Sequence, residues 1–320
     1  MRKRAAFKLL GESIEAGKSA RINLDVAKLH TSTPIQVPVI IHHAKKPGPV
    51  LLLLAGAHGD EINGIEIVRK VIKRGWNKPD AGTVVCIPVY NIFAFLNLSR
   101  EFPDGRDLNR SFPGSLNGSL AAQFAYHFMK EIAPFVDVVI DFHTGGGQRS
   151  NFQQTRCDFK DKDNLTLCKA FGAPFILDSP LISKSLRAEM HKMGKNYVLF
   201  EGGKANRTNA DVVNSGVSGV QKIMMHLEMR NFKMDKVVSN PLLLKSSKWL
   251  RAPNSGMLSV RINNGDFVKK GDLLAKIGDP YGTFERSFKS PSDGYIINVN
   301  EAPLVNRGDA IFHLASEEKE

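Results

Sequence analysis

The sequence predicts an α/β protein with a mixed, mostly parallel sheet flanked by helices, followed by a small all-β unit. Apolar runs alternate with helix-like segments over the first 240 residues, and short strand-like stretches separated by glycine turns follow. The composition shifts near Ser239-Asn240-Pro241. A chain of 320 residues can hold two domains at about 150 residues each, so we predict domains at 1–245 and 246–320.

The predicted elements of the first domain follow from apolar runs and helical spacing. Continuous apolar runs are typical of strands buried on both faces, and apolar residues three or four apart are typical of amphipathic helices. The predicted strands are Val50–Ala55, Thr83–Pro88, Val136–Phe142 and Tyr197–Phe200. The predicted helices are Ile62–Arg74, Ser119–Met129 and Asp211–Arg230.

Composition excludes several classes of protein. With 42% hydrophobic residues and three cysteines, the chain is neither a disulfide scaffold nor disordered. Cys86, Cys157 and Cys168 form no CxxC pair, which argues against a thiolate metal cluster and favours a reducing compartment. The longest apolar run, at 50–57, is far shorter than the roughly 20 residues of a membrane helix. We therefore expect a cytoplasmic protein.

The net charge is +12, and +11 of it belongs to residues 1–240. A basic balance can indicate nucleic acid, an anionic membrane or an acidic substrate as partner. No run of five like charges exists, which argues against a nucleic-acid arm. Two interpretations stay open, a charged site for acidic substrates and a solvated basic face.

Three metal-ligand side chains each directly follow a predicted buried strand: His58, Glu61 and His143. His58 and Glu61 are three residues apart, so one helical turn would bring them to one side. Two imidazoles and a carboxylate suit Zn²⁺ and leave a position for water. Asp141 shares a strand face with His143 and could orient it. The HxxE spacing alone is also common on exposed helices.

Further polar side chains occupy similar positions. Glu201 follows a predicted strand and precedes two glycines, and a carboxylate there could act as general base to a metal-activated water. Asn109 and Arg110 lie in a polar loop and could bind a substrate carboxylate. The alternative for Glu201 is a surface glutamate in a tight turn, and the alternative for Asn109 and Arg110 is a solvated loop.

The motifs GAHGDE, DLNRSFPG, DFHTG and FEGG together resemble the succinylglutamate desuccinylase/aspartoacylase family, which has a zinc carboxypeptidase-like fold. The resemblance spans roughly the whole chain. It implies a zinc amidohydrolase that removes the acyl group from an N-acyl amino acid. By match to the motifs it implies one Zn²⁺ per chain, with His58, Glu61 and His143 as its ligands. It also implies that Glu201 is the general base and that Asn109 and Arg110 bind the substrate carboxylate.

One departure from the family pattern concerns the substrate arginine. Family members with acidic substrates carry a further arginine, in an Arg-Tyr sequence, shortly before the Asn-Arg pair. Here Arg100 precedes Glu101-Phe102-Pro103, and Arg106 lies closer to Asn109. We favour Arg100 for this role, with Arg106 as the alternative.

The tail contains an internal repeat. Residues 252–256 (APNSG) recur as 290–294 (SPSDG), and Gly271-Asp272 recurs as Gly308-Asp309. Each half predicts a hairpin-rich unit, and the pair resembles the biotinyl/lipoyl-type barrel-sandwich fold. The connecting stretch 278–285 has no lysine, so a swinging-arm carrier is rejected. The tail could pack beside the active site, mediate subunit contact, or act as an inert appendage.

Three functions are compatible with the sequence. The leading prediction is a deacylase of a small anionic N-acyl amino acid. The second is a zinc carboxypeptidase or isopeptidase that trims acidic, for example glutamyl, peptides, since the +11 region suits a polyanion. The third is a non-catalytic binding module, which the complete set of ligands and base argues against. We expect neither nucleic acid nor a membrane as partner, and a homo-oligomer stays open.

Overall fold

The structure is a computed structural model, and it describes residues 4–233 and 240–318. The predicted change of composition begins at Ser239, which lies outside the described residues. The strands of the first part are β1 Phe7–Leu9, β2 Glu12–Ile14, β3 Lys18–Lys28, β4 Pro34–His43, β5 Lys46–Ala55, β6 Ala81–Ile87, β7 Val138–Gly145, β8 Arg149–Cys157, β9 Phe175–Asp178 and β10 Asn196–Lys204. The helices are α1 Ile62–Lys73, α2 Ile92–Asn97, α3 Leu120–Glu131, α4 Lys162–Phe171, α5 Leu186–Lys192 and α6 Ala210–His226.

The remaining strands lie in the tail. They are β11 Leu242–Leu244, β12 Ser246–Arg251, β13 Gly256–Val260, β14 Phe267–Val268, β15 Leu273–Gly278, β16 Glu285–Lys289, β17 Gly294–Asn300, β18 Leu304–Val305 and β19 Ala310–Ser316. Short 3-10 helices at Leu108–Arg110 and Ala133–Phe135 complete the described structure.

The central sheet is mixed, with a parallel core. Strands β10, β7, β5 and β6 run parallel in that order, and β4 and β3 extend the sheet antiparallel beyond β6. On the other side, β8 pairs antiparallel with β10. The mixed α/β sheet predicted from the sequence is therefore confirmed. No helix in the described ranges is long and apolar enough to cross a membrane.

Both faces of the parallel strands are covered, which explains their unbroken apolar runs. Along β5, Leu51 and Leu53 pack into a core with residues of α1, α4 and α6. The alternate residues Leu52 and Leu54 pack into a second core with residues of α3 and α5. All four leucines are fully buried. Burying such side chains stabilises the fold by about 1.5–3 kcal/mol each.

Most predicted elements differ from the structure by a few residues at one end, and the largest differences at their C-terminal ends occur in β7, β10 and α6. The strands predicted to stop at Phe142 and Phe200 continue to Gly145 and Lys204, because β7 and β10 keep pairing past those points. The helix predicted to reach Arg230 ends at His226. Glu228 there adopts a left-handed φ of 54°, and Met229 N donates to Met224 O, which closes the helix end.

The tail strands form two four-stranded sets with matching connections. One set has the order β16-β15-β13-β18, and the other consists of β12, β19, β17 and β14. Gly271 N donates to Ser290 O, and Gly308 N donates to Ala252 O, so each Gly-Asp turn contacts the other half. The repeat seen in the sequence is thus a repeat of structure.

The tail is hydrogen-bonded to the central sheet. Strand β17 pairs antiparallel with β8, so the second tail set continues the main sheet. This pairing covers the edge that β8 would otherwise expose. The boundary between 1–245 and 246–320 stays a prediction, and one sheet passes from one part to the other.

Candidate metal and substrate site

His58 and Glu61 lie in the turn between β5 and α1, not on the helix itself, which begins at Ile62. Asn91 Nδ2 donates to Ala57 O, and Gly59 N donates to Ser99 O, so the α2 segment holds this turn. A Cβ on Gly59 would come within 1.9 Å of Ala94 C, so only glycine allows that approach. The turn brings both side chains to one side.

The structure brings the three predicted metal ligands together. One ligand atom from each of His58, Glu61 and His143 lies within 4.8 Å of the others, and all three residues are buried. His58 Nδ1 is 2.7 Å from Glu61 Oε1, and His143 Nδ1 is 2.9 Å from Glu61 Oε2. Two imidazole nitrogens and a carboxylate are a donor set suited to a divalent metal ion such as zinc.

Each histidine is held from its far side by an aspartate. His58 Nε2 lies 3.1 Å from Asp107 Oδ1, and His143 Nε2 lies 2.9 Å from Asp141 Oδ2. The Tyr197 hydroxyl also donates to Asp141 Oδ2. A carboxylate that accepts from Nε2–H leaves the Nδ1 lone pair pointing to the side of Glu61. Both rings therefore present the same nitrogen to the cluster.

The charges of the cluster compensate one another. Burial alone would lower the pKa of His58 and His143, but Glu61 and the two aspartates outweigh it, and the pKa of both rings is raised. Burial would raise the pKa of Glu61, but the two imidazoles hold it far below its ordinary value. The Arg100 guanidinium also lies close, with Nη1 3.2 Å from His58 Nδ1. The carboxylates thus require positive charge at this point, which fits a bound cation.

Glu201 lies in the same cavity, within β10 and opposite His143 of β7 in the parallel ladder. The sequence placed both residues after their strands, but both strands continue past them. Asn151 Nδ2 donates to Glu201 Oε2 at 2.7 Å, and Arg156 Nη1 lies 3.7 Å from Oε1. The pairing of β10 with β7 becomes irregular directly after Glu201, as in a β-bulge. The Glu201 carboxylate lines the cavity beside the cluster.

The two candidate arginines of the polar loop occupy different surroundings. Arg100 donates to Asp107 Oδ2 through Nε and Nη2, at 3.1 and 2.8 Å, and lines the cavity. Arg106 pairs with Asp104 at the surface, with Nη1 2.7 Å from Oδ2, and lines a neighbouring cleft. Of the two, only Arg100 lies beside the cluster.

Asn109 and Arg110 also line the cavity. The Asn109 side-chain oxygen accepts from Leu186 N at 2.9 Å, which ties the loop to the start of α5. The Arg110 guanidinium donates to Asn109 O at 2.6 Å and is otherwise exposed to the cavity mouth. The pair predicted to bind a carboxylate therefore lies within one cavity with the cluster.

The cavity holds about 170 Å³ and is basic. Among the described residues, the arginines that line it are Arg100, Arg110, Arg156 and Arg187. It opens into an outer cavity of about 770 Å³, here called the vestibule, which shares Arg100, Arg110, Arg156 and Glu201 with it. The tail supplies part of the vestibule wall, including Trp249, Asn298 and Asn300. The tail therefore packs beside the site.

Comparison with known proteins identifies the family. Residues 47–227, more than half of the chain, match the succinylglutamate desuccinylase/aspartoacylase catalytic domain. The chain belongs to this family. A relative from Halomonas elongata, described as N-alpha-acetyl-L-2,4-diaminobutyric acid deacetylase, is 28% identical over 295 residues, which are 88% of this chain and 86% of that protein.

Solved structures agree with the fold of this family member. The product-bound ectoine utilization protein EutE (DoeB) from Ruegeria pomeroyi has a TM-score of 0.82 at 22% identity, over 93% of this chain and 95% of that one. A metallo-carboxypeptidase from Burkholderia cenocepacia has a TM-score of 0.53 at 13% identity, over 65% of each chain. The carboxypeptidase-like fold implied by the motifs is thus confirmed.

Several residues around the site of this desuccinylase/aspartoacylase family member were missed from sequence. Asp107 follows an ordinary capping pattern, and its partner His58 is 49 residues away. Arg156 lies on β8, whose mostly polar sequence does not predict a buried strand. Arg187 is buried and donates to Arg156 O, Ser179 O and Pro180 O, and burial lowers its pKa. Asn151 had no recognisable signal.

Proposed function

We propose that this family member is a zinc-dependent amidohydrolase that removes the acyl group from an N-acyl amino acid. The observation that carries the proposal is one cavity that contains the His58, Glu61 and His143 cluster together with Glu201. His58 Nδ1, His143 Nδ1 and the Glu61 carboxylate would hold the ion. When bound, Zn²⁺ supplies a Lewis acid that polarises a carbonyl and activates water.

Glu201 is proposed as the proton carrier. Its carboxylate borders the cavity, and Asn151 holds Oε2, which leaves Oε1 available on the side of Arg156. A carboxylate placed there accepts a proton from attacking water and later delivers it to the departing amine nitrogen. Substrate binding in the small cavity also excludes bulk water, which strengthens these interactions.

The arginines and Asn109 are proposed to bind the carboxylate of the substrate. Arg110 and the Asn109 amide line the cavity mouth, and a guanidinium can bind a carboxylate through two parallel hydrogen bonds. Arg100 lies against the cluster, where its Nη1 is 3.5 Å from Glu61 Oε1. From this position it can stabilise negative charge that develops on the carbonyl oxygen. The basic excess of the first 240 residues attracts such anions.

A second candidate function is trimming of acidic peptides. The vestibule of about 770 Å³ is larger than a small N-acyl amino acid needs, and it adjoins the arginines of the inner cavity. The size of the inner cavity, about 170 Å³, favours the deacylase.

One assay separates these functions. The purified protein, loaded with Zn²⁺ or treated with chelator, is incubated with N-acetyl and N-succinyl derivatives of acidic, neutral and basic amino acids, N-α-acetyl-2,4-diaminobutyrate included, and with glutamyl peptides. We expect hydrolysis of N-acyl amino acids, its loss with chelator and its return with Zn²⁺. Faster release from glutamyl peptides would favour the second function.

Metal analysis tests the binding-module alternative. Less than about half a zinc per chain, with no gain when Zn²⁺ is added, would contradict the metal site. No release from any substrate by the zinc-loaded protein would contradict the proposed function.

A further inference from the structure

A ladder of directly paired residues leads from the tail to Gly203, two residues after Glu201. His313 of β19 pairs with Asn298 of β17, and Asn298 pairs with Asn151 of β8. Asn151 pairs in turn with Gly203 of β10, two residues after Glu201, where the register of that ladder shifts. Directly paired residues in a sheet lie on the same face, so their side chains can contact one another.

Two hydrogen bonds run along this ladder. Asn298 Nδ2 donates to Asn151 Oδ1 at 2.6 Å, and Asn151 Nδ2 donates to Glu201 Oε2 at 2.7 Å. Asn298 is 2% exposed and Asn151 is 6% exposed, so water does not compete freely for either amide.

The carboxylate determines the orientation of both amides. A carboxylate oxygen accepts hydrogen bonds, so Asn151 must turn its NH₂ group toward Glu201 and its oxygen away. That oxygen then needs a donor, and Asn298 Nδ2 supplies it. Among the described residues, the Asn298 side-chain oxygen has no hydrogen-bond partner. The role of Asn298 in this network is therefore that of a donor to Asn151.

We propose that Asn298 is a positioning residue for Glu201, acting through Asn151. This inference rests on the proposed function, since it assigns to Glu201 the transfer of the proton. Without the hydrogen bond from Asn298 Nδ2, the Asn151 amide can turn and face Glu201 with its oxygen, which repels the carboxylate. Arg156, 3.7 Å from Oε1, would then draw the carboxylate to its own side. The tail thus contributes to catalysis in the same chain.

A double-mutant cycle tests the relay. Asn298→Leu and Asn151→Leu are compared singly and together, with Asn298→Asp as a second variant that keeps the shape of the side chain and, assayed at a pH where the new carboxylate is ionised, has no hydrogen to donate. We expect each single variant to lower kcat about tenfold to a hundredfold, because a small misplacement of a reacting group has effects of this size. KM should change less than about threefold, since the substrate-binding arginines are untouched. The double variant should match Asn151→Leu alone.

A matched control removes side-chain volume from the tail without touching the relay. Ile296→Ala changes a fully buried residue of the tail core on the same strand, and its kcat should stay near that of the wild type. If kcat of both Asn298 variants stays within about twofold of the wild type, or if the two losses multiply in the double variant, the relay is overturned.

A crystal structure of the Asn298→Asp variant separates this proposal from the proposed function. We expect the Glu201 carboxylate to leave the position 2.7 Å from Asn151 Nδ2. An unchanged Glu201–Asn151 contact in that variant would contradict the relay even if the wild type proved inactive on every N-acyl amino acid. Inactivity of the wild type with a displaced Glu201 would contradict the proposed function alone.

Discussion

Asp107 holds the imidazole of His58 from the side opposite to Glu61. Its Oδ1 lies 3.1 Å from Nε2, and its Oδ2 accepts two hydrogen bonds from Arg100. Arg100 and His58 together hold the pKa of Asp107 far below its ordinary value against the effect of burial. The aspartate therefore stays ionised and keeps Nδ1 of His58 directed at the cluster, as Asp141 does for His143.

We predict that Asp107→Asn weakens metal binding. The amide can turn and donate to Nε2, which favours the imidazole tautomer with the proton on Nδ1, where the metal should bind. The expected loss of zinc affinity is about tenfold to a hundredfold, measured by competition with a chelator. Asp104→Asn is the control, because Asp104 pairs with Arg106 at the surface. Equal zinc affinities of the two variants would contradict this role for Asp107.

For Glu201→Gln we predict intact zinc content and a kcat reduced at least about a hundredfold, the lower range of general acid–base contributions. The amide keeps the size of the side chain but cannot take the proton of water. The measurements are metal analysis and initial rates on the best N-acyl amino acid. Glu285→Gln, on an exposed tail strand where the carboxylate pairs with Lys276, serves as control. Normal turnover by Glu201→Gln would remove this residue from the mechanism.

Arg100 and Arg106 should differ strongly in their effects. Arg100→Ala removes a guanidinium that contacts both Asp107 and the edge of the cluster, and we predict a loss of about a hundredfold in kcat/KM. Arg106→Ala should stay close to the wild type, because its side chain contacts Asp104 at the surface. Steady-state kinetics of both variants decides between the two residues. The reverse ranking would contradict the assignment of Arg100.

His313 should make the protein sensitive to acid. It is buried, stacks on Trp249 with ring centroids 4.4 Å apart, and its Nδ1 has no hydrogen-bond partner among the described residues. Burial, reinforced by the charge of Arg156, lowers its pKa from 6.5 to about 3. The unfolded chain therefore binds a proton more readily than the folded one. The stabilising contribution is fully present above pH 6.5 and is lost as the pH falls toward 3.

The matched variant for this prediction is His313→Phe, which keeps an aromatic ring against Trp249 but has no titrating group. Between pH 7.5 and pH 5, the wild type should lose about 2 kcal/mol more of its free energy of unfolding than the variant does. Urea unfolding at the two pH values measures this difference. An equal loss in both proteins would mean that folding does not lower the pKa of His313.

Much of the α/β part could be predicted from local sequence. A strand buried on both faces gives a continuous apolar run, and a helix buried on one face gives apolar residues three or four apart. These two patterns identified β5 and α1. The same reasoning brought out His58, Glu61, His143 and Glu201, since carboxyl ends of parallel strands meet at one edge of a sheet. Strand ends were less well predicted, because β7 and β10 continue only through their mutual pairing.

The contacts that hold these residues in place depend on the tertiary structure. Asp107 and Asn151 belong to segments far from their partners in sequence, and no periodicity reports which side chain a loop or a neighbouring strand will meet. The choice between Arg100 and Arg106 was likewise open from spacing alone, because both lie close to Asn109. Only the course of the polar loop separated them.

In the tail, too, some features follow from local sequence and others from the tertiary structure. Its repeat and its glycine turns were visible in the sequence because each Gly-Asp turn needs particular residues at particular positions. That β17 would pair with β8, and so bring Asn298 to Asn151 and Asn151 to Glu201, was decided by the sheet as a whole. Local composition determines which residues can form a strand or a ligand. Pairing between distant strands depends on the packing of the complete fold, and that pairing placed part of the tail beside the candidate metal and substrate site.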